Sequence, residues 1–364
     1  MNGKARRALK PVLIMATVLA ASVATSAARA ADKIIFAFPT VINSGIAPMA
    51  FAIDLGFFKE ENLDPEIVSL QGSGTIIPQL MAGEIFTAYS TLEPLPISRQ
   101  PSKPNFPFKF VYNYARNSIW EIAVLADSPI KTPADLKGKT VGVGALQWGN
   151  VATTKAIVKA SGVDPASVQW VAVGTGVPAF EALKRGQIDA LNLHELMHSE
   201  LEQLGTKIRR LPFPAEFQGL SSHGFPATDK MIKDRPDLIA KFGRAMTKGT
   251  IACAANTANC VIAYWKMYPA QKPSKDDPAL LERVATSLKP RLNNLTSFGK
   301  NDAHQFGAFS PKDWTTLIEA LKIGGQIDPS VNIDIDTLYT NQFVDEYNKF
   351  DKDAVIAAAN KYKP

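Results

Sequence analysis

IIFAFPTVINSGIAPMAFAIDLGFFKEENLDPEIVSLQGSGTIIPQLMAGEIFTAY runs from Ile34 to Tyr89, and its punctuation gives the architecture away. The opening apolar run stops at Pro39 and passes into a small-residue loop, Thr40 to Ala47. Pro48 to Leu55 has helical spacing and Gly56 ends it, while Pro65 to Leu70 alternates as a strand. Gly72-Ser73-Gly74-Thr75 then leads into a helix over Ile76–Ala82, Gly83 stops it, and a third apolar run spans Ile85–Tyr89. Strand, loop and helix twice over, closing on a strand, predict an α/β fold on a parallel sheet. In such sheets the strand-to-helix loops gather at the carboxyl ends of the strands, where ligands bind. Helix N-termini there present unpaired N–H groups and a partial positive charge.

The same pattern returns downstream. Thr140–Val143 reads as a buried strand, Gly144–Asn150 as a loop and Val151–Ser161 as a helix stopped by Gly162. Val168–Val173, the loop Gly174-Thr175-Gly176, a helix ending at Arg185 and the strand Ile188–Leu193 follow. FEALKRGQIDAL (residues 180–191) repeats the helix–Gly–strand order of QLMAGEIFTAYS (residues 79–90). At 364 residues the chain is long enough for two such lobes, each with its own core.

The wording of LGFFKEENLDPEIVSLQGSG (55–74), QLMAGEIFTAYS and LKGKTVGVGALQWGN (136–150) resembles periplasmic solute-binding proteins of the SsuA/THI5-like group. That group serves ABC importers of nitrate, sulfonates, taurine and pyrimidine-type compounds. The resemblance covers nearly all of the chain after residue 30. It implies a type II periplasmic binding protein, with a first lobe over 31–122, a second over 123–225, and a return to the first lobe with C-terminal helices over 226–364. Ile119–Ala126 and Leu220–Thr228 would be the crossover strands. A long return helix would begin near Asp229, and Leu338–Tyr347 would form a closing helix. The implied partners are a small organic solute and an inner-membrane ABC permease, with no cofactor, no nucleic acid and a monomeric receptor.

Charge and leader agree with export. Lys4, Arg6, Arg7, Lys10 and Arg29 supply five positive charges before residue 31 with no acid among them, so removing that stretch lowers the formal +6 to +1. A basic-patch argument for nucleic acid does not survive the subtraction. Residues 1–30 read as a secretory signal peptide, with an apolar region from Val12 to about Val23 and Ala28-Arg29-Ala30 as the cleavage pattern. The apolar stretch is shorter than the roughly 20 residues of a spanning helix. Cleavage after Ala30 would leave a periplasmic protein.

The sequence holds no G-x-S-x-G and no P-loop lysine motif. His194-Glu195-Leu196-Met197-His198 does spell H-E-x-x-H, which on a helix can bind zinc with Glu195 as general base. Here it follows directly on the predicted strand Ile188–Leu193, so an incidental helix start is the competing reading, and no catalytic residue or metal ligand is assigned. A zinc-dependent hydrolase is one alternative function. A thiamine-pyrimidine synthase of related fold is another, although the CCCFC motif that such an enzyme carries is absent. A sensor-type receptor without import is a third.

Cys253 and Cys260 are the only cysteines. On one unbroken helix they stand too far apart to bridge. Asn256 and Asn259 between them can break the helix, so a disulfide across that turn and two buried thiols both remain open.

Four loops should face the cleft, and the candidate ligand-binding residues follow from them. They are Thr40, Asn43 and Ser44; Gly72, Ser73, Gly74 and Thr75; Gln147, Trp148 and Gly149; and Gly174, Thr175 and Gly176. Tyr89, Ser90 and Glu93 end a strand, Trp120 opens a crossover, and His194 and Glu195 complete the set. Trp148 offers a stacking surface for a ring, or else a plug on its own lobe's core. No basic residue lies in the four loops, and Glu93 and Glu195 border the cleft. That combination favours a solute carrying its own donors, such as an ammonium or ring N–H.

Overall fold

The computed structural model describes residues 3, 30–217, 219–273, 278–298 and 305–364. The predicted signal peptide therefore lies outside the described residues, apart from Gly3 and Ala30. Among the described residues, no helix is long and apolar enough to cross a membrane.

Eleven strands are described: β1 (Asp32–Phe38), β2 (Leu63–Ser69), β3 (Thr87–Ala88), β4 (Ser90–Thr91), β5 (Phe108–Ala115), β6 (Trp120–Leu125), β7 (Thr140–Val143), β8 (Gln169–Ala172), β9 (Ala190–His194), β10 (Ile208–Arg210) and β11 (His223–Thr228). In the first lobe β1 pairs parallel with β2 and β3, and β11 pairs antiparallel with β4 and β5. The segment Thr87–Thr91 belongs to both ladders, so the lateral order is β2, β1, β3/β4, β11, β5. In the second lobe the order is β8, β7, β9, β6, β10. There too β7 is parallel to both neighbours and β6 is antiparallel to its own.

The two sheets thus share one plan. Each takes three parallel strands from its own α/β units, one antiparallel strand from the chain as it arrives from the other lobe, and an edge strand, β5 or β10, paired antiparallel with that one. The chain passes between lobes at 116–119 and again between Arg210 and His223. This is the periplasmic binding protein fold, α/β with two lobes joined by crossovers.

Several elements differ from the sequence expectation. Within Ile85–Tyr89 the strand proper is only Thr87–Ala88, with Phe86 N–H and Tyr89 N–H also bonded to β1, and the pairing passes to β11 from Ser90. The return helix is divided into Asp229–Asp234 and Pro236–Ala255, since Pro236 restricts Arg235 to a non-helical conformation. Leu338–Tyr347 is helical only over Val344–Tyr347. Its earlier part runs beside β5, with Phe110 N–H donating to Leu338 O at 2.9 Å and Thr340 N–H to Phe110 O at 3.0 Å.

The C-terminal helices tie the lobes together. Pro278–Thr296 packs on Glu195–Gln203 of the second lobe, and Pro311–Ile323 packs on Asn150–Ala160. Gly324 comes so close to the latter that a Cβ on it would lie 2.9 Å from that of Ala156. Helix Pro236–Ala255 ends at Asn256, whose side chain caps the next helix, Thr257–Met267. That break brings Cys253 and Cys260 within 5.0 Å between Cα atoms, and they form a disulfide.

Candidate ligand-binding cleft

The carboxyl ends of β1, β3, β7 and β9 point at the space between the lobes. The first residues of antiparallel β6 and β11 reach the same edge, because a strand running the other way begins where its parallel neighbours end. These ends deliver Phe38, Pro39, Thr40, Asn43, Tyr89, Trp120, Trp148, Gly149, His194 and His223 to one cavity, and helix Pro278–Thr296 adds Arg291. The cavity measures about 30 Å³, on the order of two waters. The two lobes touch around it.

Trp148 is the partition. Its ring fits between two glycines: a Cβ on Gly144 would meet it at 2.2 Å and one on Gly72, from the facing lobe, at 2.8 Å. It is both a plug on its own loop and a wall of the cleft. On its other side lies an open groove of about 360 Å³, shared between residues 93–106 of the first lobe and 146–155 of the second. Gly149, next in the loop, faces Thr91 across the cleft, where a Cβ would stand 2.0 Å from the Thr91 hydroxyl.

Rings form most of the remaining wall. Trp120 lies 5.6 Å from Trp148 and 5.5 Å from His223 between ring centroids, and His223 stacks on Tyr89 at 4.4 Å. Tyr89 Oη, Trp120 Nε1, Trp148 Nε1 and His194 Nδ1 are buried without a hydrogen-bond partner among the described residues. An unmatched buried polar atom costs about 1–3 kcal/mol. All four residues line this one small cavity, which marks it as a place for hydrogen bonds to something else.

The electrostatics are close to neutral. Arg291 and Glu195 are each 2% exposed, and they pair with Nε to Oε1 at 2.5 Å and Nη2 to Oε2 at 3.3 Å. Burial pushes the Glu195 carboxyl up, with the Arg291 guanidinium pulling it back. Burial and then the Arg291 charge hold His194 and His223 well below the ordinary histidine value, so both are neutral near pH 7. Tyr89 is raised by burial and stays a neutral phenol.

The NMT1/THI5-like family profile matches residues 43–259. The chain belongs to the NMT1/THI5-like family. A Haemophilus influenzae protein provisionally named for thiamine biosynthesis is 26% identical over 276 residues, covering 73% of this chain and 82% of its own. A formylaminopyrimidine-binding protein of Halalkalibacterium halodurans is 25% identical over 285 residues, covering 74% and 78%. Among solved structures, the periplasmic aliphatic sulphonate binding protein SsuA of Escherichia coli superimposes with a TM-score of 0.60 at 15% identity, over 84% of this chain and 91% of its own. That likeness speaks for the fold.

In this NMT1/THI5-like chain, Thr40, Asn43, Gly72, Ser73, Tyr89, Trp120, Trp148, Gly149 and His194 line the cavity together. The other predicted site residues do not. Asn43 caps the turn at Ser44, accepting from Gly45 N–H at 2.9 Å. Thr75 turns back to donate to Gly72 O, Ser90 lies beneath Ser73 at 3.3 Å, and Gly74 and the exposed Gln147 face each other at the rim. Gly174, Thr175 and Gly176 follow β8, an edge strand, which carries their loop away from the centre.

Glu93 stands behind Gly149, accepting from Thr153 Oγ1 of the second lobe at 2.8 Å, and burial raises its pKa. Glu195 lies behind Arg291. Neither carboxylate therefore lines the cavity, and the argument for a solute rich in donors loses its basis.

Within H-E-x-x-H, His194 ends β9 rather than sitting on the helix. Glu195 is committed to Arg291, and His198 Nδ1 lies 2.9 Å from Glu121. Phe38, Pro39, Thr91, Ile119, His223 and Arg291 line the cavity without having been predicted. His223 was open to discovery, because it begins the antiparallel strand of its sheet as Trp120 does in the other. For Arg291, mid-helix and far along the chain, no local signal existed.

Proposed function

We propose that this chain is an exported receptor that delivers a small, flat, uncharged organic solute to an ABC importer. The reading rests on one observation above all: four unpartnered polar atoms, on Tyr89, Trp120, Trp148 and His194, meet on a single ring-walled cavity between two lobes. Both indole N–H groups are donors only, so they call for acceptors on the solute, such as ring nitrogens or carbonyl oxygens. The faces of Trp120, Trp148 and His223 favour a planar group. The pyrimidine named for the Halalkalibacterium relative has this chemistry.

Solute enters the open form, and the ring system becomes enclosed as Trp148 yields space toward the neighbouring groove. The lobes are 31–115 with 223–364, and 120–210, with the passages between them as hinges. The receptor acts as a periplasmic monomer after cleavage at Ala30 and presents the closed form to an inner-membrane permease. It performs no chemistry on the solute.

A thermal-shift screen over pyrimidines, aromatic acids, taurine, sulfonates and nitrate tests the ligand class. A hundredfold excess over Kd stabilises by about 2.7 kcal/mol. The expected responders are neutral heteroaromatics, and Trp148→Ala should abolish the response. A response to nitrate alone, unchanged in Trp148→Ala, would overturn the reading.

A further inference from the structure

Among the described residues, Arg291 is the one lysine or arginine that lines the cavity. It reaches the wall from helix Pro278–Thr296, with its guanidinium carbon 5.6 Å from the Tyr89 ring centroid. Left alone there, it would attract anions, since a guanidinium fork matches planar oxyanions in two parallel hydrogen bonds. Glu195 already occupies that fork. Its carboxylate, carried by the first turn of the facing lobe's helix Glu195–Gln203, takes Nε and Nη2 and is as deeply buried as its partner.

We propose that Glu195 is an internal counter-anion that sets the charge specificity of the receptor, closing Arg291 to anionic solutes while leaving neutral ones unaffected. This rests on the cavity being the solute site. A carboxylate, sulfonate or nitrate could take the Nε and Nη2 fork of Arg291 only by displacing Glu195. Displacement would leave a buried carboxylate without its cation, which is strongly destabilising. An anion bound alongside the pair would face the Glu195 charge with only the remaining donors of a guanidinium already engaged. A neutral acceptor meets neither penalty. Selection against anions is thus built into a contact behind the cavity rather than into the residues that touch solute.

Glu195→Gln removes the charge at nearly constant shape and leaves Arg291 uncompensated on the cavity wall. Titration calorimetry with sodium nitrate and sodium methanesulfonate, at constant ionic strength in chloride, should show no binding to the unaltered protein. Glu195→Gln should bind at least tenfold more tightly than it, and Glu195→Gln/Arg291→Gln should lose the gain.

Oxyanion binding by the unaltered protein as tight as by Glu195→Gln would overturn the proposal, as would a folded Glu195→Gln that gains nothing. Should Glu195→Gln fail to fold, Glu195→Asp retains the charge but draws it back by one methylene. It should gain part of the anion affinity, and no gain there also overturns the proposal. The outcomes separate from those of the solute screen. Anion gain without any neutral responder would remove the flat-solute reading alone, and a neutral responder without anion gain would remove the role of Glu195 alone.

Discussion

The rings of Trp120 and His223 lie 5.5 Å apart, and each residue is the first of the strand that follows a passage between lobes. Both also line the cavity. Ser222 links the two passages: its hydroxyl accepts from Ile119 N–H at 3.3 Å, and its own N–H donates to Ala115 O at 3.1 Å. A solute touching Trp120 and His223 thus bears directly on both hinges and can favour the closed state by contacts absent from the open one. Small-angle scattering should show a more compact particle with saturating solute than without. Superimposable curves would count against hinge closure.

Gly149 has helical backbone angles, φ −59° and ψ −38°, so any residue suits its backbone. Its small size matters only because of Thr91 across the cleft. Gly149→Ala should therefore weaken solute binding by roughly tenfold or more, about 1.4 kcal/mol, with little change in melting temperature. Adding Thr91→Ala should recover part of the loss. Unchanged affinity in Gly149→Ala would show that the lobes do not need this contact.

Acid should loosen the fold through its buried histidines. His194 and His223 have depressed pKa values, so below about 6.5 the unfolded chain takes up protons that the folded one refuses. Their contribution is complete above that pH and is lost as pH falls, by at most about 1.4 kcal/mol per unit for each. Glu93 and Glu195, raised by burial, work in the opposite sense, their contribution declining as pH rises above the ordinary carboxylate value. The informative quantity is a difference. Between pH 7.5 and 5.5, His223→Gln, which cannot titrate, should lose less melting temperature than the unaltered protein. Coincident profiles would exclude His223 as the sensor.

The disulfide closes a short loop, Cys253 and Cys260 having a sequence separation of 7. Chain-entropy reasoning assigns it about 2 kcal/mol. Cys253→Ser/Cys260→Ser should melt lower by a few degrees and bind solute unchanged. Two alkylatable thiols on the native protein under non-reducing conditions would remove the bridge.

Much of the fold was legible because its signals are local. Gly56, Gly83, Gly162 and Gly186 stop helices with positive φ, and the apolar runs between them alternate at strand period. The misjudged segments are those where a distant partner decided. Leu338–Tyr347 has apolar spacing fit for a helix, yet Phe110 recruits its first half as an edge beside β5. The strand that Tyr89 ends passes at Ser90 to a new partner, β11, which arrives from much later in the chain.

Strand and helix periods, glycine stops and two matching α/β repeats were enough by themselves to determine the two-lobe architecture and the order of strands, loops and helices within it. They could not determine which of those loops meet. Gly174–Gly176 obeys the same local pattern as Gly72–Thr75 but follows an edge strand, and lateral strand order is a property of the sheet. Nor could they reveal that Glu195 has a cation: Arg291 is 96 residues away, on a helix whose own periodicity says only that it is amphipathic. Charge pairing across a cleft depends on how two lobes close, and only the tertiary structure brings those two side chains to 2.5 Å.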